Sequence, residues 1–226
     1  AIDTANVTTT HLISGGDVTQ AAEIIETNLA VTSGGTVTLD NANNDVDTLA
    51  GSITGTGNFN FRDSDALVVG SVDSSTGMTS GTGGITLRAG TTLNDADDVT
   101  DYLVTTGTLT LQSAGIIGGA NAEGLNIDVA AVDATLGTNG NNITLTDSGT
   151  SNTSYAIDTG GAGTVTIFQT ASDLIINGIT TTGNLDAAAT TGAISQTAEF
   201  TVGGTADFET SGNDQTITLA GDNDVT

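Results

Sequence analysis

The side chains able to do chemistry in this 226-residue chain are almost all carboxylates: 27 Asp and Glu stand against two Arg, Arg62 and Arg88, and one His, His11. The carboxylates bunch with Asn in three runs, DNANNDVD (Asp40 to Asp47), NDADDVTD (Asn94 to Asp101) and GDNDVT (Gly221 to Thr226). Such bunches offer the oxygen ligands that Ca2+ takes, and Asp95, Asp97, Asp98 and Asp101 are the best candidate metal ligands. Neither the EF-hand loop nor the glycine-rich nonapeptide of calcium-binding β-rolls is present. Asn and Asp also suit tight corners, where they tolerate left-handed backbone and bond their own main chain. The corner role is the simpler account. No metal, cofactor or catalytic residue is therefore assigned, and Ca2+ at these corners is kept as the alternative.

Arg62 follows FNF and Arg88 follows ITL, so the two lie 26 residues apart in the same phase of a recurring pattern. This predicts guanidiniums stacked one above the other on the surface, with Asp63 and Asp65 at hand to neutralise them. His11 shows no partner pattern and reads as an incidental surface residue. A polysaccharide-cleaving enzyme needs acid/base carboxylates or a cationic base, and commonly aromatic platforms for sugars. Here Trp and Lys are absent and the tyrosines are only Tyr102 and Tyr155, so catalysis is not expected. Sequons at Asn6, Asn142 and Asn152 would accept sugar along an export route that supplies a glycosyltransferase.

A formal charge of −25 repels nucleic-acid phosphates and anionic lipid, so neither is an expected partner. With no Cys, disulfides and thiolate metal sites are excluded. No apolar run approaches the ~18 residues of a membrane span, and the opening AIDTANVTTT lacks the basic and apolar regions of a signal peptide. It also lacks Met, which suggests a processed chain or a piece of a longer one.

The elements that must carry these residues alternate with period two: TVTL (Thr36 to Leu39), NFNF (Asn58 to Phe61), GITL (Gly84 to Leu87), TLTL (Thr108 to Leu111), NITL (Asn142 to Leu145), TVTI (Thr164 to Ile167) and TITL (Thr216 to Leu219). Two apolar residues alternating with small polar ones give a strand with one buried face. A disordered chain has no reason to keep that alternation. The spacings are 22 residues from Val37 to Phe59, 26 from Phe59 to Ile85, 24 from Ile85 to Leu109 and 22 from Ile143 to Val165. A sandwich would place turns every ~8 to 12 residues, whereas a period in the twenties marks stacked coils. The fold class expected is therefore all-β, a parallel β-solenoid with coils of about 20 to 26 residues and two or three short strands per coil. About ten coils, stacked ~4.8 Å apart, would make a rod of roughly 45 to 50 Å. Phe59, Phe61, Leu87, Leu109, Leu111, Ile143, Leu145, Val165, Ile167 and Leu219 are predicted to point inward.

A longer period overlies the short one. GDVTQAAEI (Gly16 to Ile24) returns as GAISQTAEF (Gly192 to Phe200), and TVTLDNANNDV (Thr36 to Val46) returns as TITLAGDNDV (Thr216 to Val225). Taken alone the first phrase passes for a helix, but its twin lies among Thr, Val, Phe and Gly, so both are read as strands with Ile24 and Phe200 inward. The offsets imply one continuous solenoid segment over residues 1 to 226, in tandem repeats of about 180 residues, the second beginning near residue 192.

The phrases ISQTA, FTVGGTA and ITL followed by an Asn/Asp-rich corner, with GGITLRAGTTL and DLIINGITTTGNL, extend over most of the chain. They resemble the repeat region of large secreted bacterial adhesins of the filamentous haemagglutinin type, β-strand-repeat proteins exported by two-partner or autotransporter routes. That resemblance implies a right-handed parallel β-helix displayed outside a Gram-negative-type cell, with an adhesive or filament-forming role. The expected function is an extracellular adhesin stalk or filament shaft, partnered by further repeats of the same chain, by itself in filaments, and by a host-cell, carbohydrate or surface receptor. The secretion domain typical of that family is not seen. Alternatives are a carbohydrate-active β-helix enzyme, or a module that binds Ca2+ or, through Thr-x-Thr faces, ice.

Overall fold

The computed structural model describes residues 8–96, 102–119, 123–137 and 140–226, with the backbone of Ile2–Asp3. Among the described residues every regular element is a β-strand, and the strands stack in parallel as a β-solenoid of about 9 turns. Gly, Asn, Asp and Ser end most strands after two to six residues, while a few, such as Leu125–Leu136, run on for up to 12. Each coil is too small to bury its own apolar face, so every coil is covered by the next.

The spacings read from the sequence are the spacings of the stack. Val37 pairs with Phe59, Phe59 with Ile85, Ile85 with Leu109, and Ile143 with Val165. Along one face the register carries a single inward column through eight successive coils: Leu39, Phe61, Leu87, Leu111, Ala134, Ile157, Ile179 and Phe200. All eight are buried. Fully burying a Leu, Ile or Phe is worth roughly 1.5 to 3 kcal/mol, so this column is a main source of cohesion. Of the ten residues predicted inward, nine are buried, whereas Leu219 is only partly covered. Leu219 follows the short strand Ile217–Thr218, and Ile217 and Val225 near it are exposed.

Two departures from the expected pattern have local causes. The later phrase is one strand, Ile194–Val202, kept continuous by a register shift opposite Ile176 and Asn177. The earlier phrase is not: Val18–Thr19 ends at a corner, and the next strand begins at Ile24. In both copies the Gln side chain bends back to a carbonyl two residues on, Gln20 Nε2 to Ala22 O at 2.8 Å and Gln196 Nε2 to Ala198 O at 3.0 Å. That curl interrupts the strand in one copy and bulges it in the other. Elsewhere a short antiparallel hairpin, Ser71–Val72 with Ser75–Thr76, leaves the stack. Its Val72 joins Ala30 and Ala50 in a small satellite core outside the main one.

Candidate functional site

The Asn and Asp residues of the corners work mainly between coils. Asp17 Oδ1 accepts from Thr36 N at 2.8 Å, Asn58 Oδ1 from Gly84 N at 2.9 Å, Asn142 Oδ1 from Thr164 N at 2.9 Å and Asn184 Oδ1 from Thr205 N at 3.0 Å. Each side chain thus satisfies a donor that the next coil's corner would leave without a ladder partner. The most enclosed example is Asn44, fully buried. Its Oδ1 accepts from Ile24 N at 2.9 Å, and its Nδ2 donates to Leu39 O at 3.1 Å and Arg62 O at 2.9 Å. Gln20 and Asn44 also exchange amide bonds, and Gln196 does the same with Asn223, which accepts from Phe200 N at 3.2 Å. The recurring phrase is therefore a Gln–Asn clasp, and Ile24 and Phe200 are both buried beside it. Gln paired with an Asn about 24 to 27 residues on was the signal in the sequence that would have found it.

The acidic runs divide on this basis. Asp95 is buried, and its Oδ2 accepts from Asn126 N at 2.7 Å and Asn126 Nδ2 at 3.0 Å. Asp97, Asp98 and Asp101 lie outside the described residues, as does the sequon residue Asn6. Among the described residues no three His, Asp or Glu side chains gather closely enough to hold a metal ion. Asn142 and Asn152 are exposed, with their amides engaged by the next coil, Asn152 Nδ2 donating to Asp173 Oδ2 at 3.1 Å.

His11 does have a partner. Its Nε2 lies 2.8 Å from Asp73 Oδ2, 62 residues later, where the hairpin reaches back over the first coils with Asp73 at φ 50°. Both groups are partly or largely exposed, so the pair is worth at most about 1 kcal/mol. Only the hairpin brings them together, and no local pattern announces it. Tyr102 and Tyr155 are buried, which removes both from any role as an open platform for sugar.

Arg62 and Arg88 are direct partners in register, as their phase predicts. The expected neutralisation by Asp63 and Asp65 is not observed. Asp63 turns inward, where Oδ1 accepts from Val46 N at 2.9 Å and Oδ2 from Asp65 N at 3.0 Å. Burial raises its pKa to about 7 against the pull of those two amides, and the nearby Asp65 adds to the rise. Among the described residues the one ion pair is that of His11. Arg88 Nε instead donates to Gln112 Oε1 at 2.8 Å on the next coil. The outward column thus runs Arg62, Arg88, Gln112, Thr135 and lines an open groove of about 460 Å3.

A second polar cluster lies inside the solenoid. Tyr155 Oη is 2.7 Å from Gln169 Oε1 and 3.2 Å from Asp147 Oδ2, and all three residues are fully buried. Gln169 Nε2 donates to Ser172 Oγ at 2.8 Å, and Gly149 N to Asp147 Oδ1 at 2.8 Å. Burial pushes Asp147 up to about 6 and, with Asp147 beside it, drives the Tyr155 phenol well above its usual range. None of its residues lines the surface groove, and its hydrogen bonds join neighbouring coils.

The coils, their parallel register and their inter-coil corner bonds define a parallel β-solenoid repeat protein. Residues 162–226 match the family model described as Repeats of unknown function (DUF5649), a stretch that contains the later Gln–Asn clasp. No curated protein and no solved structure matches the chain.

Proposed function

We propose that this solenoid is a rigid segment of an extracellular or cell-surface protein whose role is structural and adhesive, as an adhesin stalk or filament shaft. The observation that carries this reading is the column from Leu39 to Phe200, aligned without a break through eight coils. A stack of that kind turns chain length into reach, and adding coils lengthens it without changing its section. The scarcity of cations supports exposure to proteases, since trypsin finds only Arg62 and Arg88. The likeness of its phrases to filamentous haemagglutinin-type adhesins points the same way, and further repeats, a second copy or a surface receptor are the partners it brings. Antibody raised against the purified chain should label intact cells of the source organism, and micrographs of the native material should show rods or filaments. Labelling only after cell lysis, or turnover in an oligosaccharide depolymerisation assay, would overturn the reading.

A further inference from the structure

The groove over Arg62 and Arg88 holds the only two Lys or Arg side chains of a chain with 27 carboxylates, and no carboxylate among the described residues forms an ion pair with them. Asp63, in the groove wall, commits both oxygens to backbone amides, and Arg88 is braced by Gln112. Arg62 and Arg88, whose backbones pair in register and whose side chains both line the groove, carry planar forks of N–H donors suited to the oxygens of a single oxyanion. Beyond them in the same column Gln112 and Thr135 present an amide and a hydroxyl. We propose that this groove binds one carboxylate, sulfate or phosphate group carried on a small and otherwise uncharged molecule, such as a monosaccharide uronic acid. The −25 surface beyond the groove excludes polyanions, whose remaining charges would face carboxylates. The amide and hydroxyl of Gln112 and Thr135 suit sugar hydroxyls rather than further charge. The site goes beyond the stalk role and stands whether or not the rod is displayed on a cell.

The test is a titration of the intact chain with sodium glucuronate, sulfate and phosphate, against sodium chloride at matched ionic strength and methyl glucoside. It is followed by the arginine Nε–H NMR signals and the melting midpoint. At least one oxyanion should shift both signals saturably and raise the midpoint, because a ligand of the native state alone stabilises it. Arg62→Gln or Arg88→Gln should weaken binding about tenfold, the loss of a charge-assisted hydrogen bond. The double variant, still folded by circular dichroism, should not respond. Tighter binding of glucuronate than of sulfate or phosphate supports a group carried on a sugar-like molecule, and the reverse order, a site for the free inorganic anion, overturns it. The proposal falls if no oxyanion gives a saturable shift, if chloride does as well, if the double variant responds like the wild type, or if a heparin-like polyanion binds more tightly than glucuronate.

Discussion

A single phenolic proton cannot serve two acceptors, and Tyr155 faces two. Its Oη is closer to Gln169 Oε1, at 2.7 Å, than to Asp147 Oδ2, at 3.2 Å. A proton on Asp147 resolves the conflict: the carboxyl donates to the phenol, the phenol to Gln169, and every buried polar atom of the trio has a partner. Burial raises the Asp147 pKa to about 6 from an unfolded value near 3.8, so this arrangement holds below about pH 6 and gives way above it to an ionised Asp147 that accepts from the phenol. The native state then binds more protons than the unfolded chain between those values, so stability falls as pH rises through that window and is level above it. The full effect is roughly 3 kcal/mol at about 1.4 kcal/mol per unit. Asp63, raised by burial to about 7, pulls the same way. The melting midpoint of the wild type should therefore drop between about pH 4 and pH 7. Asp147→Asn, which keeps an acceptor for Gly149 N and supplies a donor for Tyr155, should be more stable than the wild type at pH 8 and show a shallower pH profile. Equal profiles for the two proteins would refute a buried, protonated Asp147. The inward placement was legible: Asp147 ends the strand Ile143–Asp147 in phase with Ile143 and Leu145, and Asp63 follows Phe59 and Phe61 in the same phase. What alternation does not encode is the partner, so neither the bonds of Asp147 with Tyr155 nor the backbone amides that hold Asp63 away from the arginines could be read from the chain.

At the scale of the element, the corners decide how closely coils approach. In the segment Ser80 to Gly84 two glycines stand two residues apart in different surroundings. A Cβ on Gly83 would overlap the carbonyl oxygen of Gly57 on the coil below, whereas one on Gly81 would have its nearest neighbour 3.7 Å away. Gly83→Ala should then cost about 2 to 3 kcal/mol, as forced overpacking does, and Gly81→Ala less than about 1 kcal/mol. Paired urea denaturation curves decide this, and similar midpoints for the two variants would show that the corner yields. The strands themselves were the most legible part of the molecule. Parallel stacking demands that equivalent residues recur at the coil length, so Val37, Phe59, Ile85 and Leu109 could be aligned from spacing alone, and each pairs with the next. The side-chain bonds of the corners were less legible. Corner Asn and Asp are expected to bond their own backbone, but Asp17, Asn58, Asn142 and Asn184 reach one coil on, a distance no local pattern encodes.

Across the whole molecule the strands run around the rod, so the ladder bonds between coils lie along its length. Tension applied to the two ends therefore loads those bonds in line and row by row, rather than shearing many together. Coils should therefore peel away singly, one ladder at a time. A coil of 22 residues, the step from Val37 to Phe59, would release about 70 Å as it straightens, at ~3.4 Å per residue less one coil height. Pulling the chain between a bead and a surface should give a sawtooth of small, near-equal force peaks at that interval. One large rupture would mean that the coils fail together. A tether of this kind lengthens under load instead of letting go: each coil that opens dissipates energy and leaves the remainder of the column intact to bear the next pull.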